Sequence, residues 1–166
     1  MGPKNALEGT GSMLVSGDQG LYERLKPSLE PMTGKLVYLG EDPARAAAFK
    51  LIGNLFLSAV TGGLVDAFAL GKATGIAPAD VAEMFDWFNP GAMVPSRAKQ
   101  ISLGRFDKPS WTLAMARKDN RLMMEAAARG EEELTVIPAV AALMDEWIAA
   151  GHAHDDWTVI ATDAVR

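Results

Sequence analysis

The chain has no cysteine, two histidines, and 16 basic residues against 21 acidic ones. Without cysteine there can be no disulfide framework, no thiolate zinc site and no cysteine nucleophile. His152 and His154 are the only imidazoles, which leaves little for a metal beyond carboxylates, and no metal site is expected. A net charge of -5 and a pI near 5.0 give no basic excess to meet phosphates, so nucleic acid is not an expected partner. The first apolar stretch, Met13-Leu14-Val15, is too short for the core of a signal peptide. The longest, residues 44–70, is interrupted by Arg45, Lys50, Asn54 and Asp66, which argues against a membrane span. The expectation is a soluble protein of the cytoplasm. There is no phosphate loop and no nucleophile elbow. Gly9-Thr10-Gly11-Ser12-Met13-Leu14 begins like a dinucleotide fingerprint, but it lacks the third glycine and runs into a strand instead of a helix.

What is present is an ordinary globular balance. The 166 residues are 49% hydrophobic and 22% charged, with a mean hydropathy of +0.06. This is enough apolar surface to offset chain entropy, in one domain or one domain plus a fragment of another.

Residues 1–40 read as strand, helix, strand. Ser12–Ser16 is a strand candidate, and Asp18 can cap a helix that places Leu21, Tyr22, Leu25 and Leu29 at helical spacing. Pro31 stops that helix, and Lys35–Leu39 forms a second strand closed by Gly40. Two strands and one helix cannot cover their own faces. This segment looks like the edge of a larger α/β sheet.

From Asp42 the pattern turns helical. Asp42 and Pro43 suit a helix start, and no proline follows until Pro78, so one helix is predicted from about Ala44 to Thr74 with Gly75 as its stop. It would be roughly 45 Å long. It is apolar almost all round, from Phe49 to Leu70, and therefore needs cover from other helices or from a second copy of the chain. Gly62-Gly63 would permit a bend or a close helix crossing. Further helices are predicted over 78–88, 94–103, 112–129 and 138–150. In the helix over 112–129, Leu113, Ala116, Leu122, Met123 and Ala126 are the expected inward positions. The stretch from His152 onward caps or packs on the bundle. Glu131-Glu132-Glu133 is expected to favour the next helix N-terminus through its dipole.

Lys50 is the polar residue most in need of a reason, since it sits on the most apolar helix. Asn54, Ser58 and Thr61 continue its face. Two readings of this stripe stand: a cleft wall for a polar small molecule, or a lysine that extends to solvent beside an asparagine bonded to a nearby loop. The run Arg117-Lys118-Asp119-Asn120-Arg121 reads on spacing as a solvated helix face. His152, His154, Asp155 and Asp156 read as a surface loop after a helix-ending glycine.

Three stretches, taken in order, resemble the β-hydroxyacid dehydrogenase family, whose best-known member is 3-hydroxyisobutyrate dehydrogenase. They are Gly2-Pro3-Lys4-Asn5-Ala6-Leu7-Glu8-Gly9-Thr10, Ala48-Phe49-Lys50-Leu51-Ile52-Gly53-Asn54 and Arg117-Lys118-Asp119-Asn120-Arg121-Leu122. They are similar to the family's substrate-binding segment, its catalytic lysine segment with an asparagine four residues on, and its later Lys-Asp-Leu segment. Three positions depart from that pattern. Met1 stands where the first glycine of the substrate segment is usual, Gly53 where an asparagine is, and Asn120 where a leucine is.

The resemblance implies a mainly α fold: residues 1–41 as the edge of a dinucleotide-binding α/β domain, and 42–166 as an all-helical substrate and dimerisation domain. It implies NAD or NADP as cofactor, held mostly by a domain this chain lacks, and a small β-hydroxy acid as substrate. Lys50 would move the substrate's proton, its pKa lowered by partial burial. Gly2 and Asn54 would bind substrate, and Lys118 and Asp119 would lie on the cofactor side. A homodimer is implied as well. Two other readings stay open: a non-catalytic helical dimerisation module derived from the family, and an oxidoreductase of the imine reductase or 6-phosphogluconate dehydrogenase type. Imine reductases usually carry a residue other than lysine at the position of Lys50, and the 6-phosphogluconate enzymes have a far longer helical domain.

Overall fold

The computed structural model describes residues 3–166, so Gly2 lies outside the described residues. The chain divides into two compact units, residues 1–58 and 59–166, and the division falls inside one long helix.

In the first unit, α1 (Pro3–Glu8) is followed by β1 (Ser12–Val15), α2 (Gln19–Leu29) and β2 (Lys35–Tyr38). The strands pair in parallel, from Ser12 against Lys35 to Val15 against Tyr38. The strand–helix–strand order follows the sequence reading, whereas α1 does not. Pro3 suits a first helical turn and Lys4 pairs with Glu8 one turn on, so this short helix is locally supported. Asp18 caps α2 as expected, its Oδ1 accepting the Leu21 N–H at 2.6 Å. Tyr22 of α2 stacks on Tyr38 of β2 with ring centroids 4.5 Å apart. This stack packs the crossover helix onto the strand pair.

The remaining helices are α3 (Arg45–Ala73), α4 (Pro78–Trp87), α5 (Val94–Ser102), α6 (Leu113–Arg129) and α7 (Ile137–Ala149). Each lies within one residue of its predicted bounds, because proline starts and glycine stops are local signals. A 3-10 helix over Trp157–Ala164 closes the described chain. The core of the second unit gathers Phe106, Leu113, Ala116, Met144 and Val159. The segment after His152 is thus built into the core, which corrects the surface-loop reading at Asp156, while His154 stays exposed. Asp156 is fully buried, accepting from the Ser110 N–H at 3.2 Å and from the Thr158 N–H and hydroxyl at 3.1 and 2.6 Å.

Two packing expectations need correction. Leu122 is exposed, since the buried stripe of α6 runs Leu113, Ala116, Asn120, Ala127 and Leu122 lies off it. Glu131–Glu133 do not form the first turn of α7: Glu132 pairs with Lys72 on α3, and the helix N-terminus is held by another group, described below.

The sequence reading placed a close crossing at Gly62-Gly63. A Cβ at Gly62 would meet the Val136 side chain at 2.9 Å, while Gly63 faces open space, and α3 runs through both without a break. Gly130 permits an even closer approach, because a Cβ there would run into the Ala73 backbone. By contrast, the upstream half of α3 is bare: Leu51, Ile52 and Leu55 are 69%, 64% and 71% exposed. By length and composition alone α3 would also pass for a membrane-crossing helix.

These glycines give a paired prediction. Gly130→Ala should lower unfolding stability by about 1–3 kcal/mol, because the added methyl overlaps backbone that cannot move alone. Gly53→Ala lies in a helix interior with nothing within 4 Å. It should raise stability by about 0.5–1 kcal/mol through reduced chain entropy in the unfolded state. Urea unfolding of the two variants beside the parent tests both signs.

Candidate functional site

The candidate site begins at the end of β1. The Ser16 hydroxyl accepts the Ala46 N–H at 3.0 Å and donates to the Pro43 carbonyl at 3.1 Å. Asp42 Oδ1 accepts the Ala44 N–H at 2.9 Å. These two side chains satisfy the free N–H groups at the start of α3 and tie that start to the strand. Lys50 and Asn54 follow at one-turn intervals on the same helix.

The result is a cleft of about 840 Å³ between Ser12–Leu14 of β1 and the Ala46, Phe49, Lys50, Gly53, Asn54 face of α3. Lys50 and Asn54 are therefore brought together, as their spacing predicts. Ser58 is not part of the cleft wall. Its hydroxyl donates to the Asn54 carbonyl at 3.0 Å, bonding back to its own helix. The expected partial burial of Lys50 is absent: the residue is exposed and makes no ion pair or hydrogen bond among the described residues. Apolar neighbours on α3 do not desolvate it, because they are exposed themselves.

Lys118 and Asp119 belong to α6 in the second unit. Lys118 Nζ lies 3.1 Å from Asp119 Oδ1. Around them, Arg117 forks onto Asp145 at 2.8 and 2.9 Å, and Arg121 reaches Glu125 at 2.6 Å. Asn120 instead points inward, 5% exposed, and donates to the Met144 sulfur at 3.5 Å. The loop Gly9–Gly11 has both glycines at positive φ and leads into β1, so it offers no helix N-terminus to a phosphate. His152 Nδ1 lies 2.7 Å from Asp155 Oδ2, and no group of three or more metal-ligating side chains occurs among the described residues.

Sequence reasoning missed a buried and fully hydrogen-bonded carboxylate in the second unit. Asp66, at 4% exposure, accepts the backbone N–H groups of Thr135, Val136 and Ile137 at 2.6, 2.8 and 2.9 Å. It thus caps α7 from another helix. Burial alone would raise its pKa, but the three donors outweigh burial and hold it below the ordinary carboxylate value. The available signal was an acidic residue in the most apolar helix of the chain.

The family model for the C-terminal domain of NADPH-dependent reductive aminase-like proteins matches residues 42–165. A probable 3-hydroxyisobutyrate dehydrogenase of Mycobacterium tuberculosis is 28% identical over 134 residues, 76% of this chain and 45% of that protein. A 2-(hydroxymethyl)glutarate dehydrogenase of Eubacterium barkeri is 26% identical over 161 residues, 96% of this chain and 53% of that protein. The chain therefore spans about half the length of the curated relatives it matches. Among solved structures, an imine reductase of Myxococcus stipitatus in complex with NAD+ superposes with a TM-score of 0.86 at 19% identity. It covers 95% of this chain and 57% of that one, and shows the same fold.

The Asp66 clamp makes stability depend on pH with a definite sign. A depressed folded pKa contributes stability that is fully present above the unfolded value of about 4 and is lost as pH falls through the folded value. Asp66→Asn should cost about 1–3 kcal/mol at pH 7, since a neutral amide is a weaker acceptor for three donors. The variant should also lose part of the acid-dependent fall in stability. Urea unfolding of both proteins between pH 7 and pH 2.5 checks the two expectations.

Proposed function

Because the chain belongs to the NADPH-dependent reductive aminase-like family through its C-terminal domain, we propose that it is the lysine-bearing part of an NAD(P)-dependent oxidoreductase acting on a small β-hydroxy acid. The observation that carries this reading is the placement of Lys50 and Asn54 on one wall of a single cleft. Oxidising a carbinol gives up a hydride, which NAD(P)+ would accept when bound, and a proton. Lys50 is assigned to carry the hydroxyl proton once the upstream half of α3 is covered, and the Asn54 carboxamide one turn away to orient the substrate oxygen or the lysine. Gly2 would offer its backbone N–H to the substrate carboxylate.

The described residues do not build a dinucleotide site by themselves. β1 does turn into the N-terminus of α2 through Gly17, but that turn lacks the G-x-G-x-x-G spacing and the Asp18 carboxylate already caps the helix start. We assign residues 1–41 to the edge of a dinucleotide-binding α/β domain and 42–166 to the helical substrate and dimerisation domain. Lys118 and Asp119 are assigned to the nicotinamide side.

A second reading is an imine reductase-like activity. The family description and the shared fold favour it, and Lys50 favours the hydroxy acid. A panel that pairs β-hydroxy acids with cyclic imines separates the two.

Surface area supports self-association. The chain exposes 11265 Å². A compact protein of this mass exposes about 8,000 Å², and two separate compact units would expose roughly 9,500 Å². The excess is larger than the ~800 Å² that each partner contributes to a stable interface. It includes the bare leucines of upstream α3. We therefore assign that helix half to a homodimer in the cytoplasm. A membrane is the weaker alternative, because Lys50 and Asn54 lie on the same helix half.

Two outcomes are expected. In a version of the protein joined to a dinucleotide-binding domain, Lys50→Ala should lower kcat on the best β-hydroxy acid by about 10²–10⁴-fold. Lys50→Arg should not restore it, because arginine stays protonated, and Asn54→Ala should be milder. The 166 residues alone should show little turnover with NAD(P). Steady-state kinetics on these proteins would reject the catalytic assignment if Lys50→Ala kept parental kcat. In detergent-free buffer, sedimentation equilibrium should give about twice 17.7 kDa, and Leu55→Asp should shift the species toward monomer. A single monomer mass for the parent at micromolar concentration would remove the dimer.

A further inference from the structure

Three residues that line the Lys50 cleft form one row of α3. Ala46, Lys50 and Asn54 stand at four-residue intervals, so they lie above one another on a single helix face. Within the row each amide donates to the carbonyl one turn back, which ties the height of Lys50 to that of Ala46. The facing wall is Ser12–Leu14 of β1. The cleft is therefore shaped by where the first member of the row sits against the end of that strand.

Ser16, half-buried and two residues beyond that wall, fixes this relation. Its hydroxyl accepts the N–H of Ala46, itself a cleft residue, at 3.0 Å and donates to the Pro43 carbonyl at 3.1 Å. Both functions of the hydroxyl are used, so the link has a direction as well as a length. The backbone behind it is held too. The Gly17 N–H donates to the Gly40 carbonyl at 3.0 Å, and the Gly17 carbonyl accepts the Tyr38 hydroxyl at 2.7 Å. Asp42, the other cap at this end of α3, has a different reach. Its Oδ1 takes the Ala44 N–H two residues on, which closes a local turn without involving β1.

We propose that Ser16 is a positioning residue for Lys50: by pinning Ala46 to the end of β1, it sets the height and rotation of the Ala46–Lys50–Asn54 row over the opposite wall. The proposal rests on the assignment of Lys50 as the proton carrier. Such a carrier works only within hydrogen-bond reach of the substrate oxygen, and a displacement of about 1 Å costs on the order of 10²-fold in rate. Without the Ser16 hydroxyl the Ala46 N–H has no partner, because the first amides of a helix find none within it. The first turn of α3 then opens more often, and the row above it loses its fixed register on β1.

Two measurements test it. On the chain itself, amide hydrogen exchange read residue by residue by NMR should show Ser16→Ala speeding the Ala46 and Lys50 amides at least about tenfold. Ser16→Thr, which keeps the hydroxyl, and Asp42→Ala should leave Lys50 within about threefold of the parent. The Leu39 amide, bonded to the Val15 carbonyl, should keep its parental rate in all three variants and so report that the unit is folded. In the version joined to a dinucleotide-binding domain, Ser16→Ala should lower kcat by about 10- to 100-fold, and Ser16→Thr should restore most of it. Added to Lys50→Ala, Ser16→Ala should cost no further activity, because a residue that acts through the lysine then has nothing to position. A merely structural role would multiply the two losses. Multiplied losses overturn the proposal, as does unchanged Lys50 exchange in Ser16→Ala, or Asp42→Ala costing as much kcat as Ser16→Ala. Loss of protection at Leu39 in Ser16→Ala also overturns it, since Ser16 would then hold the whole unit and not the lysine row. If Lys50→Ala keeps parental kcat, the catalytic assignment fails and takes the proposal with it. If Lys50→Ala is inactive while Ser16→Ala is fully active, the proposal alone fails.

Discussion

The second unit is organised by one carboxylate and the donors it meets. Asp66 sits in the last third of an apolar helix and takes three backbone N–H groups 69 to 71 positions further on. A buried charge of this kind is tolerated only when fully hydrogen-bonded. Its reach depends on helix backbones approaching closely, which Gly62 against Val136 and Gly130 against Ala73 allow. The clamp sets where α7 begins. Through α7 it sets where Met144 meets Leu113 and Val159, and so how α6 presents its charged face. The second carboxylate knot, at Asp156, does the same for the chain after α7 by tying Ser110 and Thr158 to one side chain.

The contrast between the two halves of α3 explains the chemistry that is still incomplete. Downstream, one face of the helix, with Asp66 and Gly71, is buried under neighbours that small residues bring close, while Val65 remains exposed. Upstream, it carries Lys50 and Asn54 among leucines that nothing described covers. A lysine that must release and accept a proton near neutrality needs desolvation. In this chain the apolar side chains that would supply a dry surrounding are present, but they are themselves wet. Covering that helix half would therefore complete a hydrophobic interface and change the surroundings of the lysine in one step.

How much of this was legible in the sequence depends on the range of each signal. Helix limits were readable because proline, glycine and Asp18 act within a turn of where they stand. The pairing of Lys50 with Asn54 was readable because four residues make one helical turn. Ser16 was not readable as the cap of α3, since it lies 30 residues before the N–H it accepts. Asp66 appeared only as an interruption in an apolar run, because nothing local names Thr135–Ile137 as its donors. The exposure of Lys50 was also hidden, since an apolar helix sequence does not say whether cover comes from its own chain. Leu122 was misplaced for a related reason: several faces of α6 carry apolar residues, and the partner helix decides which one is buried.

The parallel pairing of β1 with β2 also bears on how long the site stays assembled. Each strand is four residues long, and no other described strand pairs with either of them. Half of their amides therefore face away from the ladder and exchange with solvent through small local openings, whereas amides around Leu113 and Met144 exchange only when the whole second unit opens. Fraying of so short a ladder releases Ser16, and with it the hydrogen bonds that hold the first turn of α3. The orientation of Lys50 thus persists only as long as a four-residue parallel ladder stays closed, while the helices of the second unit keep their order on a much slower clock.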